Sequence, residues 1–374
     1  MTALFEQLSF GWRSALMGSI LLPIVVGTLL LLLKATDRSP ARWLAALMAG
    51  VVLSSIPFFI GFAGAYDAWP DLTFLPVEMT LSFGPLLYIY VHSCLTGLKP
   101  GWRWWLLLPA LVHFVYQLAA FTLLGGYETK WEFTLRVHDP IIEPIVWTVS
   151  LLLYAGCWYA VHKLYQNYKR WLPTMRADDD HFRPVWLNYF LTLCLVMGAL
   201  WIAIIVMEFR DSYNYRARYW LVIVSLITLL VILLETLSRR HAFPKMTVEE
   251  TAQPEASVEK PAQDWPALGE ELRQKVLDQN WFLETDFSLA TLAQRAGLNR
   301  SYISRAINDG LGENFSQFIN SMRAAHARTL LRDSNMKLLD VAYQSGFGSK
   351  ASFNRVFRTI EGCTPTEYRR KNVS

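Results

Sequence analysis

The sequence predicts an all-α protein in two parts: a seven-helix transmembrane bundle over residues 1–240 and a helical domain over residues 267–374, joined by a flexible linker at 241–266. Three observations predict it. The first 240 residues hold a series of apolar runs, each near the roughly 20 residues that a bilayer crossing needs. The last hundred or so place apolar residues at three- and four-residue spacing, with no alternating strand pattern. Between them, Pro254, Pro261 and Pro266 sit among Glu, Gln, Ala, Ser and Thr with almost no large apolar side chain, the composition of a flexible linker. Mean hydropathy is +0.23, above that of a soluble protein.

The predicted spans are Ser14–Leu33, Arg42–Gly64, Leu72–Leu95, Trp104–Leu124, Ile141–Leu164, Val185–Met207 and Tyr219–Leu237. Gly84-Pro85 inside the third predicts a kink there. The first run is too long for a cleaved leader, and no small-residue cleavage site follows it. Seven crossings divide the basic residues of the connections unevenly. One set, from Lys34 to Lys245, holds thirteen Lys and Arg; the other, from Arg13 to Arg218, holds six. The basic-rich side is the cytoplasmic one. The N-terminus is then expected outside and the C-terminal domain inside.

In the C-terminal domain Ser288 is expected to cap Leu289–Ala296, with Gly297 ending that helix. Asn299 caps a helix running to about Asp309, and a longer helix spans Phe315–Arg332. Asp340–Gln344 reads as helix, Gly346 as the residue of positive φ that ends it, and Phe347 as the plug of the turn. Ser349 then caps a helix whose Phe353, Val356, Phe357 and Ile360 face inward, while Lys350, Ser352, Asn354, Arg355 and Arg358 face outward. Thr364-Pro365-Thr366-Glu367 is a capping box. The pattern repeats internally. Leu292-Ala293, Gly297-Leu298, Arg305, Ile307 and Gly312 recur as Val341-Ala342, Gly346-Phe347, Arg355, Phe357 and Gly362. A short helix behind a Gly turn, apolar on one face and basic on the other, has the geometry of a major-groove reader. From Arg295 onward thirteen Lys and Arg face six Asp and Glu, the excess that a phosphate backbone selects.

The run Asp340–Arg369, with Gly346-Phe347, Phe353-Asn-Arg-Val-Phe and Gly362-Cys-Thr-Pro-Thr-Glu-Tyr-Arg, resembles the C-terminal signature of AraC-type transcription regulators. The resemblance extends over roughly residues 281–370. It implies two helix-turn-helix units joined by a rigid helix, each entering the major groove of promoter DNA. By position, base-edge contacts then fall on Ser301, Ser304 and Arg305 in the first unit and on Lys350, Ala351, Ser352 and Arg355 in the second. A guanidinium can grip guanine with two hydrogen bonds, so Arg305 and Arg355 are the strongest of these; an ion pair with a neighbouring acid is the competing reading for each. Phosphate contacts are expected from Ser288, Asn299, Ser316, Lys337, Ser349 and Arg358. Ser301 and Ala351 are small, which points to modest base readout and some dependence on DNA shape. The N-terminal half is unlike the soluble sugar-binding half of the best-known members and looks like the members with a polytopic membrane half. RNA polymerase is an implied partner, and pairing of two chains would suit a repeated operator. The implied location is a bacterial inner membrane.

Within the apolar runs Glu78, His113, Gln117, Glu143 and Asn188, with Trp147, Tyr116 and Tyr154, form a candidate sensor pocket, because polar groups there face the bundle interior. Interhelical hydrogen bonding without a ligand is the competing reading. The four cysteines are too scattered for a metal knuckle or a disulfide framework. No HExxH, Walker, GxSxG or kinase motif occurs, so no enzyme, metal or cofactor is expected. The seventh run lacks Lys, against a retinal Schiff base. A passive anchor with a separate sensor protein, and a transporter fused to a regulator, remain alternatives.

Overall fold

The computed structural model describes residues 10–34, 38–99, 101–177, 185–210, 215–238, 244–246, 264–333 and 336–372. All regular elements among them are helices. Two compact units result. The first comprises Met1–Leu164 and Val185–Lys245, the second Tyr165–Pro184 and Met246–Ser374. The predicted linker lies almost wholly outside the described residues.

The first unit holds α1 (Trp12–Lys34), α2 (Arg38–Phe62), α3 (Phe83–Thr96), α4 (Leu108–Leu123), α5 (Tyr127–Phe133), most of α6 (Glu143–Met175), α7 (Val185–Arg210) and α8 (Tyr215–Ser238). Between α5 and α6 the residues Thr134–Ile142 wind as a π-helix containing Pro140. Large apolar side chains point outward in this unit: Leu123 is 80% and Leu33 75% exposed. Such a distribution is costly in water and suits lipid.

Six stretches of the described residues are long and apolar enough to cross a membrane, not seven. The predicted third span, Leu72–Leu95, is the one that fails. Pro76 interrupts it, and continuous α-helix begins only at Phe83. Helix α3 is then about 21 Å long, short of a bilayer's roughly 30 Å hydrocarbon core. Gly84-Pro85 makes no kink in mid-span. The pair sits in the first turn of α3, where the missing N–H of proline costs nothing. Gly84 permits a close approach, since a Cβ there would lie 2.8 Å from Tyr154 Cα of α6.

The second unit follows the predicted helices closely. It contains α9 (Trp265–Asp278), α10 (Leu289–Ala296), α11 (Arg300–Arg305), α12 (Phe315–Asp333), α13 (Leu338–Gln344), α14 (Lys350–Glu361) and α15 (Pro365–Asn372). Helix α9 starts slightly before the expected boundary because Asp264 caps it by accepting from Ala267 N. Ser288, Asn299 and Ser349 cap α10, α11 and α14. Gly297 and Gly346 take φ of 67° and 83°. The capping box forms reciprocally: Thr364 N donates to Glu367 Oε2 at 2.8 Å, and Glu367 N donates to Thr364 Oγ1 at 3.3 Å. One expectation fails locally. Ile360 is 46% exposed, since α14 ends at Glu361 before its last turn reaches the core.

Each helix-turn-helix unit has its own apolar cluster. Leu292, Ile303, Ile307 and Phe318 anchor the first, and Val341, Phe347, Phe353 and Phe357 the second. Helix α12 contributes to both. Between them lies Arg323 of α12, with no exposed surface. Its Nε donates to Phe282 O and its Nη2 to Glu284 O, each at 2.7 Å. Its guanidinium also stands 5.8 Å from the Phe347 ring centroid. Gly346 closes on the same spot: any Cβ there would meet Phe282 O at 2.6 Å.

Arg323→Leu leaves two buried carbonyls without their donors, and a loss of about 3 kcal/mol from this unit is expected. Hydrogen exchange of the full chain over residues 281–347 reads it; unchanged protection would refute the bridging role. His326, on the same helix, packs edge-on against Phe282 at 5.8 Å, and burial holds its pKa below the ordinary value. The unfolded chain therefore protonates first on acidification. This contribution to stability is present above about pH 6.5 and is lost as pH falls through the lower folded value. The unfolding midpoint of this unit should drop across that window, and less steeply in His326→Gln.

Candidate nucleic-acid interface

Capping and apolar spacing decide which side chains α11 and α14 present. In α11, Ile303 is buried, Ser301 and Arg305 are exposed and Ser304 is half-buried. In α14, Ser352, Phe353, Val356 and Phe357 turn inward, while Lys350, Ala351, Arg355 and Arg358 turn outward. The outer faces therefore carry small polar groups and cations.

Several predicted contact residues already have partners. Arg305 Nε meets Asp309 Oδ2 at 3.3 Å, and its guanidinium stacks 4.3 Å from the Trp265 ring centroid. The pair is exposed on both sides, so the ion pair is weak and a stronger acceptor can displace it. Ser304 Oγ accepts from Asn308 Nδ2 at 3.1 Å. Asn299 Oδ1 accepts from Ser301 N at 3.2 Å, which leaves the Ser301 hydroxyl at the surface. Lys337 stands exposed at the N-terminal edge of α13, and the Ser349 hydroxyl accepts from Ser352 N at 3.1 Å.

Two expectations are displaced. Ser352 is only 4% exposed, so its hydroxyl faces the core rather than a groove. Ser316 is buried as well: its Oγ donates to Ala177 O at 3.2 Å and accepts from Asn320 Nδ2 at 3.1 Å. Asn320 Nδ2 also donates to Ala177 O, at 3.0 Å. Ala177 lies in the apolar cluster of the first helix-turn-helix unit, with Met175 packed beside it. Its neighbour Arg176 forms an antiparallel bridge with Ser288 at the start of α10. The chain that leaves α6 thus sits against the N-terminal ends of α10 and α12. Nothing in the local sequence of 171–177 announces this seat, and the residues around Ser316 give it the look of a surface serine.

In the first unit several of the candidate pocket residues fall into two linked groups. Gln117 of α4 knits the first: its Oε1 accepts from Glu78 N at 3.1 Å, and its Nε2 donates to Glu78 O at 3.0 Å and meets His113 Nδ1 at 3.1 Å. Glu143 lies in the second group, with His138 and Asp139, where one donor atom from each falls within 4.8 Å of the others. Tyr116 joins the groups. It stacks on His113 at 5.9 Å and on His138 at 6.0 Å, and its hydroxyl meets His138 Nδ1 at 2.8 Å. Glu143 and Trp147 have partners of their own. The Tyr116–His138 bond thus ties α4 to the π-helical turn, the kind of bond that joins helices in membranes. Trp147 is half-buried on α6.

Residues 292–371 match the family model described as a helix-turn-helix domain. The chain carries a helix-turn-helix domain at these residues. An uncharacterized HTH-type transcriptional regulator from Staphylococcus aureus is 38% identical over 84 residues, which is 22% of this chain and 11% of that protein. The HTH-type transcriptional regulator YkgA of Escherichia coli is 32% identical over 108 residues, 28% of this chain and 45% of YkgA. The chain thus spans less than half the length of these relatives. The C-terminal domain of AraT, a response regulator from Geobacillus stearothermophilus, aligns at 24% identity with a TM-score of 0.27, covering 32% of this chain and 91% of that one.

A charge at Ala177 cannot share the apolar cluster without a large desolvation cost. In Ala177→Glu, hydrogen exchange over 171–177 and the first turns of α12 should rise well above wild type, with α13–α15 unchanged. Equal exchange in the two proteins would count against the seat.

Proposed function

We propose that this chain is a membrane-embedded, one-component transcription regulator. Its C-terminal unit reads promoter DNA through α11 and α14, under control of a signal perceived in or through the transmembrane bundle. The observation that carries the reading is the pairing, in one polypeptide, of six long apolar helices with a doubled helix-turn-helix domain. Base-edge contacts are assigned to Ser301, Ser304 and Arg305 of the first unit and Lys350, Ala351 and Arg355 of the second. Asn299, Lys337, Ser349 and Arg358 take phosphate. Ser288 belongs with these only where its bridge to Arg176 opens. RNA polymerase contact, and pairing of two chains on a repeated operator, belong to the same reading.

Six crossings change the predicted orientation at one end. Without the third span, the basic residues of the connections divide eleven against eight, and the richer side holds both termini. The C-terminal domain stays cytoplasmic, and the N-terminus joins it there. The share of Tyr165–Pro184 in the second unit supports this, because that connection lies on the basic-rich side for either number of crossings.

Operator selection from a random duplex pool with the full chain in lipid nanodiscs tests the reading. Arg355→Ala is expected to weaken the selected site by about 1–3 kcal/mol and to relax preference at one base pair. Arg358→Ala should weaken all duplexes alike and reduce the salt slope by about 1. Failure of the wild-type chain to retain any duplex at low salt would overturn the proposal.

A further inference from the structure

A cavity of about 210 Å³ lies in the first unit; of the predicted pocket residues Tyr154 lines it, and Glu78, His113, Gln117, Glu143 and Trp147 do not. Helices α2, α3, α6, α7 and α8 all contribute walls. Five rings line it, from Phe58, Phe83, Tyr154, Phe190 and Trp201. Among the described residues no Asp, Glu, Lys, Arg or His lines it. The space is somewhat larger than the roughly 150 Å³ that accepts benzene in an apolar protein interior. A charged occupant would find no counterion there and is excluded by desolvation.

The hydroxyls of the wall narrow the occupant further. Ser55 Oγ donates to Val51 O at 2.8 Å and Ser225 Oγ to Leu221 O at 2.9 Å. Tyr154 Oη donates to Cys194 O. Thr80 Oγ1 donates to Glu78 Oε1 at 3.1 Å, and Ser54 Oγ donates to Val77 O while accepting from Met79 N at 2.9 Å. These five protons are committed to protein acceptors, so the hydroxyls offer the cavity lone pairs. The complementary molecule is neutral, flat, about the size of a bicyclic ring, and brings its own hydrogen-bond donor.

We infer that this cavity is the signal site of the bundle, and that it binds a neutral aromatic lipophile bearing a hydroxyl donor. The inference rests on the reading of the bundle as a sensor and names the ligand class. It also gives the polar network a part. Thr80 lines the cavity and holds the Glu78 carboxylate, whose backbone Gln117 clamps to α4. An occupant that bonds to Thr80 therefore touches a chain of hydrogen bonds running to His113.

The test uses the full chain in nanodiscs, with empty nanodiscs as the partition control. The probes are 2-naphthol, its methyl ether 2-methoxynaphthalene, and 2-naphthoate. Quenching of tryptophan fluorescence should saturate at one 2-naphthol per chain. The ether, which lacks the donor, should bind about tenfold more weakly, and naphthoate should not saturate. Ser225→Phe on α8 and, separately, Leu47→Phe on α2 fill the space from different helices, and each should abolish saturation while the helical circular dichroism is kept. Non-saturating partition that is the same in wild type and both variants overturns the inference, as does an ether that binds as well as the naphthol. DNA retention is measured on the same samples. Retained DNA binding without a saturable site removes the cavity and leaves the regulator. Saturable binding that leaves DNA affinity unchanged keeps the site and removes its sensory role.

Discussion

The buried guanidinium of Arg323 is the joint on which the DNA-reading unit depends. A helix-turn-helix unit by itself is too small to bury much apolar surface, and two of them side by side have no fixed relation unless something ties them. Here α12 runs through both clusters, and Arg323 reaches from it to the carbonyls of Phe282 and Glu284 beside the first. Gly346, in the turn of the second, lies against Phe282 so closely that no side chain fits. One short segment, 282–284, therefore receives the donors of the connecting helix and the backbone of the second turn. Two carbonyls satisfied by one buried charged donor define a geometry sharply, because small displacements strand all the partners at once.

Much of this unit is legible in its residues alone. Ser288, Asn299, Ser349, Gly297, Gly346 and the Thr364 capping box act on their immediate neighbours, and chemistry of that range shows in sequence. The inward faces of α10, α13 and α14 follow from spacing, with Ile360 the exception at a helix end. Burial by distant chain is not legible. Ser316 and Ser352 are polar residues that cap or line a core, and sequence gives them the same look as surface serines. Arg323 does leave a trace: it stands four residues from both Ile319 and Ala327, each of which belongs to the core. A cation on an apolar stripe needs buried acceptors, and that signal is present.

The apolar N-terminal half is readable as composition but not in detail. Six of the seven expected runs correspond to long helices, often with ends a few residues away. The run Leu72–Leu95 has apolar content enough for a span, but hydropathy does not weigh prolines, and Pro76 leaves only a short buried helix from Phe83. Glu78, His113 and Gln117 do come together, as polar groups in apolar surroundings must. His138, which meets Tyr116 of α4, arrives through a π-helical turn that no periodicity would reveal.

The seat of Ala177 has a topological consequence. The reading head shares its core with a stretch that leaves α6, some seventy residues ahead of the linker that the sequence offers as its only tether. It therefore hangs from two leashes. Cutting the chain anywhere between residues 247 and 263 severs one and leaves the other, held by hydrogen bonds at Ser316 and Asn320. A tail made from residue 264 onward would in turn expose an apolar socket that the intact protein keeps filled.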